Sequence, residues 1–330
     1  MEEVKIVSIP QERRVDGKVF PLTIVPEEHH QPGHLFLWLE RNREIVDDLL
    51  RKHRILLFRG FSEMTDYQDF HRFVESTGYL GIDYIGGAAV RTQLTSRVFT
   101  ANESPSSEKI PFHHEMAQTP DPPTHLFFFC EIPPATGGET PVLVSNEIYR
   151  RISELHPEEM RKIEELGVKY VRVMPEEDDP MSAIGRGWKS TFLCNTREEA
   201  EVALQKLGSS WEWLSNGDLK TVTALLPAVK VDAGVNRSDV RTFFNSLVAA
   251  YTGWNDVRND GTKAVVSGDG EYLSPQLMED AKTIMDEISV AVPWQKGDVF
   301  LVDNRTAMHS RRPFEGPRRI LAALARDPNR

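Results

Sequence analysis

Short apolar segments separated by turn residues constrain the fold of this chain more than any other feature of its sequence. The clearest is THLFFFCEI at residues 124–132. Further strand-like segments occur at residues 54–59, 141–144, 167–173, 242–249, 298–303 and 319–325. Short strands bounded by Gly, Pro, Asp, Asn and Ser are typical of a β-sandwich or β-barrel core. The sequence therefore predicts a mixed fold in which a β core is the central element.

Four segments have helical periodicity and are expected to pack outside this core. They lie at residues 44–53, 65–77, 145–166 and 274–288, with Thr65 and Ser145 at the start of two of them. No strand–helix alternation carries a glycine-rich phosphate turn, which argues against a doubly wound nucleotide-binding fold. We predict a single domain over residues 1–330, with an N-terminal α/β part and a central lid or insert around residues 175–233.

Charge and composition limit the classes of partner. The chain has 330 residues, with 50 acidic and 39 basic side chains and a formal net charge of −11. This balance disfavours a broad surface for nucleic acid or for an anionic membrane. No apolar run approaches the roughly 20 residues of a membrane span, and the first residues lack a secretory apolar region. With two distant cysteines, Cys130 and Cys194, we expect free thiols and a cytoplasmic location.

The segment PFHHEMAQ at residues 111–118 contains the first candidate metal ligands. In an extended chain, side chains two residues apart point to the same face. His113 and Glu115 would then share one face, while His114 would point away and serve in packing or in an outer contact. A His-x-Glu pair is also compatible with an ordinary satisfied polar pair on a strand, so a metal site needs a third ligand.

His309 is the best candidate for that third ligand, because it closes the strand-and-turn segment GDVFLVDNRTAMH. Two histidines and one carboxylate form the facial arrangement typical of non-haem Fe(II), with positions left open for a cosubstrate and O2. Zinc hydrolases can use the same set. Asp303 and Asn304 either orient His309 or build the turn, and the turn is the preferred interpretation.

A second group of residues indicates which cosubstrate the site would hold. Arg319 stands at the head of the strand RRILAAL, and Thr140 lies in the segment GGET. An arginine fork suits a carboxylate, and a hydroxyl can donate one further hydrogen bond. This pair matches the far carboxylate of 2-oxoglutarate, although Arg319 alone could be a surface charge and Arg318 could compete with it.

Taken together, these segments resemble the Fe(II)- and 2-oxoglutarate-dependent oxygenases of the taurine dioxygenase and clavaminate synthase-like family. The matching stretches are FHHEMA, LFFFCEI with the following GGET, VDNRTAMHSRRPF and GPRRIL, in an order that fits from about residue 45 to the end. The resemblance implies a double-stranded β-helix (jelly-roll) core. It also implies that His113, Glu115 and His309 ligate iron and that Thr140 and Arg319 bind 2-oxoglutarate.

The resemblance further implies a reaction in which O2 and 2-oxoglutarate are consumed, CO2 and succinate are released, and a C–H bond of a small molecule is oxidised. Clavaminate synthase-like members act on amino-acid-derived compounds. The carboxylate ligand Glu115 favours hydroxylation, desaturation or ring closure over halogenation. Ala323 replaces the arginine with which taurine dioxygenase binds a sulfonate, so a sulfonate substrate is disfavoured. Asn102 and the segment GGAA are expected to border the substrate entrance.

Other functions fit parts of the pattern. A zinc-dependent hydrolase or isomerase could use the same three ligands, but it would have no need of Thr140 and Arg319. A jelly-roll binding protein without activity is disfavoured by the complete ligand set. A protein demethylase would share fold and ligands, yet the acidic chain shows no basic groove. Arg311 and Arg312 could meet an anionic substrate or form a solvated edge, and oligomeric state is not specified by the sequence.

Overall fold

The computed structural model describes residues 3–101, 103–231 and 240–328. Asn102 and the last two residues of the predicted insert, 232 and 233, therefore lie outside the described residues. The strands are β1 (Val4–Val7), β2 (Arg13–Val15), β3 (Lys18–Phe20), β4 (Leu22–Pro26), β5 (Ile55–Phe58), β6 (Leu80–Gly81), β7 (Val98–Thr100), β8 (Ile110–His113), β9 (His125–Ile132), β10 (Thr136–Gly137), β11 (Val142–Val144), β12 (Val168–Met174), β13 (Ser210–Trp213), β14 (Leu219–Val222), β15 (Lys230–Val231), β16 (Arg241–Thr242), β17 (Val265–Ser267), β18 (Val299–Asp303), β19 (Ala307–Arg311), β20 (Phe314–Glu315) and β21 (Arg319–Arg326).

The helices are α1 (His34–Arg41), α2 (Arg43–His53), α3 (Tyr67–Ser76), α4 (Ser145–Leu155), α5 (Pro157–Leu166), α6 (Trp188–Phe192), α7 (Arg197–Lys206), α8 (Leu247–Gly253) and α9 (Pro275–Ile288). A short 3-10 helix spans Gly261–Lys263. Within the described ranges, no helix combines the length and the hydropathy needed to cross a membrane.

A large sheet and a small sheet form the centre of the molecule. The large sheet has the order β1-β4-β5-β18-β9-β21-β6, with β7 also paired to β21. The small sheet has the order β11-β19-β8. Alternate side chains of the large sheet, such as Phe128 and Ile320, pack with Val142 and Ala307 of the small sheet in one apolar cluster. The strand alternation of period two thus creates an interior between two sheets, as the short apolar segments predicted.

Helices cover the outer faces of both sheets. The alternate residues of the large sheet, among them Phe127 and Leu321, pack against α1 and α3. On the small sheet, Leu143 and Met308 point outward and pack with apolar side chains of α4, α5 and α9. The prediction of a β core with outer helices is confirmed, and strands β5, β9, β11, β12, β18 and β21 match the predicted segments within one or two residues at each end.

Three local predictions were wrong. The strand expected at residues 242–249 is a two-residue strand followed by helix α8, because the side chains of Leu247, Val248 and Ala250 are buried together on a helix rather than on alternating faces. The helix expected at residues 145–166 breaks at His156, where Pro157 starts a new helix. Helix α3 is capped by Asp66, whose carboxylate accepts the N–H groups of Gln68 and Asp69, and not by Thr65.

The predicted insert forms a compact layer beside the small sheet. Its strands β13 and β14 extend a sheet with β12 and β17 in the order β13-β14-β12-β17. Helix α7 begins with a capping box between Thr196 and Glu199, and it packs Ala200 and Leu204 onto Trp188 of α6. This layer brings the segment before α6 to the open end of the sandwich, where the candidate ligands lie.

Candidate active site

The structure brings the three predicted metal ligands together. His309 on β19 pairs in register with His113 at the end of β8, and their ring centroids are 4.3 Å apart. Glu115 follows two residues after His113, and its Oε2 lies 3.5 Å from Nε2 of His309. Ligand atoms of the three residues all lie within 4.8 Å of one another. Two imidazole nitrogens and one carboxylate oxygen therefore converge on a single point between the two sheets.

Glu115 reaches this point by a turn and not by strand alternation. Strand β8 ends at His113, and Met116 adopts a left-handed conformation with φ of 55°. The expectation of an extended segment at residues 111–118 is therefore confirmed as far as His113 and wrong from residue 115 on, although the two side chains do converge. A non-glycine residue in this conformation costs free energy and persists where surrounding contacts fix it.

Asn304 supplies those contacts. Its side-chain oxygen accepts the backbone N–H of Glu115 at 2.8 Å, and its amide nitrogen donates to the carbonyls of Glu115 and Pro123 at 3.0 and 2.8 Å. Asp303 instead pairs with Arg305 through two bonds of 2.8 Å and so builds the turn. Asp303 therefore builds the turn, as preferred from the sequence. Asn304 instead holds the backbone of Glu115, a candidate metal ligand in the segment 111–118.

His113 is held in the tautomer that a metal ligand requires. Its Nδ1 lies 2.9 Å from the carbonyl oxygen of Pro111, which can only accept, so Nδ1 carries the hydrogen and Nε2 carries the lone pair. Burial and the neighbouring His309 lower the pKa of His113 to about 4. The imidazole is therefore neutral at neutral pH, as a ligand must be.

The carboxylate of Glu115 is ionised although it is buried. Burial raises its pKa, but the charge of Arg91 and the nearby His309 ring lower it by more, and the net pKa lies well below the usual range. Nη2 of Arg91 donates to Oε1 of Glu115 at 2.9 Å. Arg91 is not among the residues predicted from the sequence, because it lies in a loop segment with no motif of its own.

His114 has a structural role. It is fully buried, its Nδ1 donates to the carbonyl of Asn304, and its Nε2 lies 2.7 Å from the hydroxyl of Ser145. Its ring packs on Phe244 at a centroid distance of 4.4 Å. Burial lowers the pKa of His114 to about 3, so the ring is neutral. The structure places it outside the ligand cluster, in the packing role expected for it.

A cavity of about 520 Å³ opens directly beside the ligand cluster. Thr140 and Arg318 line it, and both are largely withdrawn from solvent. Gly137 and Gly138, both with φ of 66°, bring the GGET segment so close to Pro313 and Phe314 that a side chain at either position would collide with them. Nε of Arg318 donates to the carbonyl of Gly138 at 2.9 Å, which ties the arginine to the segment that carries Thr140.

The placement of Arg319 corrects the sequence prediction. Its guanidinium pairs with Glu131 at 2.7 Å, its side chain is 42% exposed, and it does not line the cavity. Ile320 faces the interior between the sheets. Side chains alternate along an extended chain, so Arg318, two residues earlier, points to the same interior and Arg319 points to the outer side. The alternation rule applied to the RRILAAL strand would have selected Arg318 from the sequence.

Arg318 remains a cation in this position. Burial and the neighbouring charge of Arg311 lower its pKa to about 10, which still leaves it protonated at neutral pH. Arg311 is itself buried and donates to the backbone carbonyls of Ser104, Pro105 and Glu108. Arg311 therefore shapes the loop that forms one wall, while Arg312 is half exposed and lies near Glu139.

The predicted insert forms the opposite wall of the cavity. Residues 179 and 181–184 line it together with residues 252–257, which form the end of α8 and the segment after it. Ser182 donates to Asp256 at 3.0 Å, and Arg258 pairs with Asp179 at 2.5 Å, so the two segments are fastened to each other. Ala88 and Ala89 of the GGAA segment, which was expected at the substrate entrance, also line the cavity.

Comparisons with known proteins agree with this geometry. The model of the taurine catabolism dioxygenase TauD, TfdA family matches residues 18–324. A clavaminate synthase-like protein of Arabidopsis thaliana is 47% identical over 334 residues, covering 99% of this chain and all of that protein. The dapdiamide synthesis protein DdaC of Enterobacter agglomerans is 26% identical over 294 residues, or 84% of each chain.

Among solved structures, PvcB of Pseudomonas aeruginosa has a similar fold. The TM-score is 0.51 at 14% sequence identity, and the match covers 94% of this chain and 87% of that chain. PvcB is described as an Fe, alpha-ketoglutarate dependent oxygenase of an isonitrile synthetic pathway. At this level of identity the similarity concerns the fold alone.

Proposed function

This chain belongs to the TauD/TfdA family of dioxygenases, and we propose that His113, Glu115 and His309 hold Fe(II) for the oxidation of a C–H bond in a small molecule. The family membership makes the protein a 2-oxoglutarate-dependent dioxygenase, with Fe(II) as metal and 2-oxoglutarate as cosubstrate. The observation that carries the ligand assignment is the convergence of three donor atoms within 4.8 Å at the wall of a cavity.

The donor set fits Fe(II). His113 is neutral with its Nε2 lone pair available, and Oε2 of Glu115 is buried without a hydrogen-bond partner among the described residues. A buried carboxylate oxygen of this kind costs free energy unless something binds it. Two imidazoles and one carboxylate leave positions open for a chelating cosubstrate, as the family chemistry requires. When bound, the metal and 2-oxoglutarate supply O2 activation, with CO2 and succinate as the by-products.

Thr140 and Arg318 are proposed to bind the distal carboxylate of 2-oxoglutarate. They lie on the same cavity wall, and the bond from Arg318 to Gly138 holds them near each other. A guanidinium and a hydroxyl together satisfy one carboxylate with charge-assisted hydrogen bonds. This assignment replaces Arg319, and it separates the protein from a zinc hydrolase, for which such a clamp would have no use.

The substrate proposed is a small, amino-acid-derived molecule. A cavity of about 520 Å³ lies in the range of small-molecule sites. The names of the relatives, clavaminate synthase-like and dapdiamide synthesis protein, support this class. If Arg318 takes the place of Arg319, the position compared with the sulfonate-binding arginine moves from Ala323 to Ala322. Both residues are alanine, so a sulfonate substrate remains disfavoured. The carboxylate ligand favours hydroxylation, desaturation or ring closure over halogenation.

The wider architecture is part of the same proposal. We interpret the two facing sheets as the double-stranded β-helix core of the family. The whole chain is one oxygenase domain in this interpretation, and residues 179–184 of the insert help to close the cavity. Cys130 and Cys194 are both free and buried, which is in keeping with a cytoplasmic protein.

Anaerobic spectroscopy tests the function directly. Fe(II) and then 2-oxoglutarate are added to the metal-free protein, and the visible spectrum is recorded. We expect a weak charge-transfer band in the wild-type protein and in His29→Ala, a control that removes an exposed histidine. The band should be absent from His113→Ala and His309→Ala. Tightly held zinc and no band in the wild type would overturn the proposal in favour of a zinc site.

A further inference from the structure

Arg91 has an unusual environment for a charged side chain. Its side chain is only 8% exposed, and its guanidinium lies 4.1 Å from the ring centre of Tyr84 and 5.0 Å from that of Phe99. Its Nη2 donates a hydrogen bond to Oε1 of Glu115 at 2.9 Å. The aromatic stacking fixes the plane of the guanidinium, so its edge is directed at the carboxylate.

The two oxygens of Glu115 therefore differ. Oε1 is engaged by Arg91, whereas Oε2 has no hydrogen-bond partner among the described residues and lies 3.5 Å from Nε2 of His309. A carboxylate can bind a metal through one oxygen or through both. Oε1 already accepts a hydrogen bond from a guanidinium, so Oε2 is the oxygen better placed to bind a metal at the ligand cluster.

Stability alone gives no reason for this pair. Nε and Nη1 of Arg91 are buried without hydrogen-bond partners among the described residues. A buried ion pair with unsatisfied donors generally costs more in desolvation than it returns. A pair of this kind is expected where the position and charge of one partner serve a site.

We propose that Arg91 is a positioning residue of the metal centre, which restricts Glu115 to one ligand oxygen and offsets its negative charge. The inference rests on the proposed function, since it concerns the same metal. The one-oxygen restriction keeps a coordination position open for the cosubstrate. Because the positive charge of Arg91 offsets the negative charge of Glu115, a dianionic cosubstrate would meet the full positive charge of the metal ion.

Arg91→Met tests this proposal, because methionine keeps apolar packing between the two rings but removes the charge and the hydrogen bond. Arg91→Lys restores the charge. Arg186→Met is the matched control. Arg186 also stacks on Tyr84, 4.6 Å from its ring centre, but it donates its hydrogen bonds to the backbone carbonyls of Tyr84, Gly87 and Ser190. Each protein is loaded anaerobically with Fe(II) and titrated with 2-oxoglutarate.

In Arg91→Met we expect the dissociation constant for 2-oxoglutarate to rise about tenfold, because an uncompensated carboxylate is left beside a dianion. The charge-transfer band should also move to longer wavelength, since the unpaired carboxylate donates more electron density to the metal. Arg91→Lys should recover most of the affinity, and Arg186→Met should keep both wild-type values.

Wild-type affinity and band position in Arg91→Met would overturn the inference, as would equal changes in Arg186→Met. A wild-type protein that shows no band at all would overturn the proposed function instead, so the two failures are distinguishable.

Discussion

The two adjacent arginines Arg318 and Arg319 offer the sharpest test of how this site binds its cosubstrate. The sequence motif favours Arg319, whereas the structure places Arg318 in the cavity and Arg319 in an ion pair with Glu131. We therefore expect Arg318→Met to weaken 2-oxoglutarate binding strongly and Arg319→Met to leave it unchanged.

The magnitude follows from the two environments. Arg318 is largely buried, so its bonds to a carboxylate would be charge-assisted and desolvated, and their loss costs about 3 kcal/mol, or roughly 100-fold in the dissociation constant. Arg319 is 42% exposed in its ion pair with Glu131. An exposed pair contributes about 1 kcal/mol or less to folding stability and nothing to cosubstrate binding.

The assay is an anaerobic titration of the Fe(II)-loaded proteins with 2-oxoglutarate, followed by the charge-transfer band or by calorimetry. Thermal unfolding of each variant without metal controls for loss of fold. A large loss of affinity in Arg319→Met with none in Arg318→Met would refute the assignment from strand alternation. Equal wild-type affinity in both variants would remove this strand from the cosubstrate site altogether.

Two further predictions concern the residues that support the ligands. Asn304→Ala removes three hydrogen bonds, so we expect a loss of about 3 kcal/mol in the free energy of unfolding and at least about tenfold weaker Co(II) binding, because the backbone of Glu115 is no longer held. Denaturant titration and Co(II) titration measure the two effects, and unchanged Co(II) affinity would limit Asn304 to a role in stability. The second prediction concerns pH. His114 has a pKa of about 3 in the folded protein and about 6.5 when unfolded, so protons bind the unfolded state first. Its contribution to stability is complete above pH 6.5 and falls by about 1.4 kcal/mol per pH unit as the pH drops from 6 towards 4. Denaturant unfolding of the metal-free protein should show a smaller slope in His114→Asn, and an identical slope would contradict the assignment.

Much of the site could be predicted from short-range rules. The pairing of His113 with Glu115, the selection of His309 and the position of Thr140 depended on residue types and motif order, and the structure brings these four residues to one cavity. The packing role of His114 followed from its place beside them. The sequence could point to these residues because a metal needs particular donor types, and such types at such spacings are rare by chance.

Other features had no short-range signal. Residues 242–249 have the composition of a strand, but burial among helices on the outer side of the small sheet makes most of the segment helical. Arg91 and Asn304 act on Glu115 from 24 and 189 residues away, and no local pattern marks either contact. Contacts between residues so far apart in the sequence form only when the whole chain has folded.

The sequence by itself determined the β core with its outer helices and the residue types of the candidate ligands, because alternation, turn residues and donor types are local properties. The tertiary structure decided which arginine faces the cavity, which oxygen of Glu115 pairs with Arg91, and which part of the insert lines the cavity. Those outcomes depend on the pairing of β21 with β9, on the stacking of Arg91 against Tyr84, and on the bond between Ser182 and Asp256. In each case the deciding energy comes from contacts between segments far apart in the chain, which only their packing together can create.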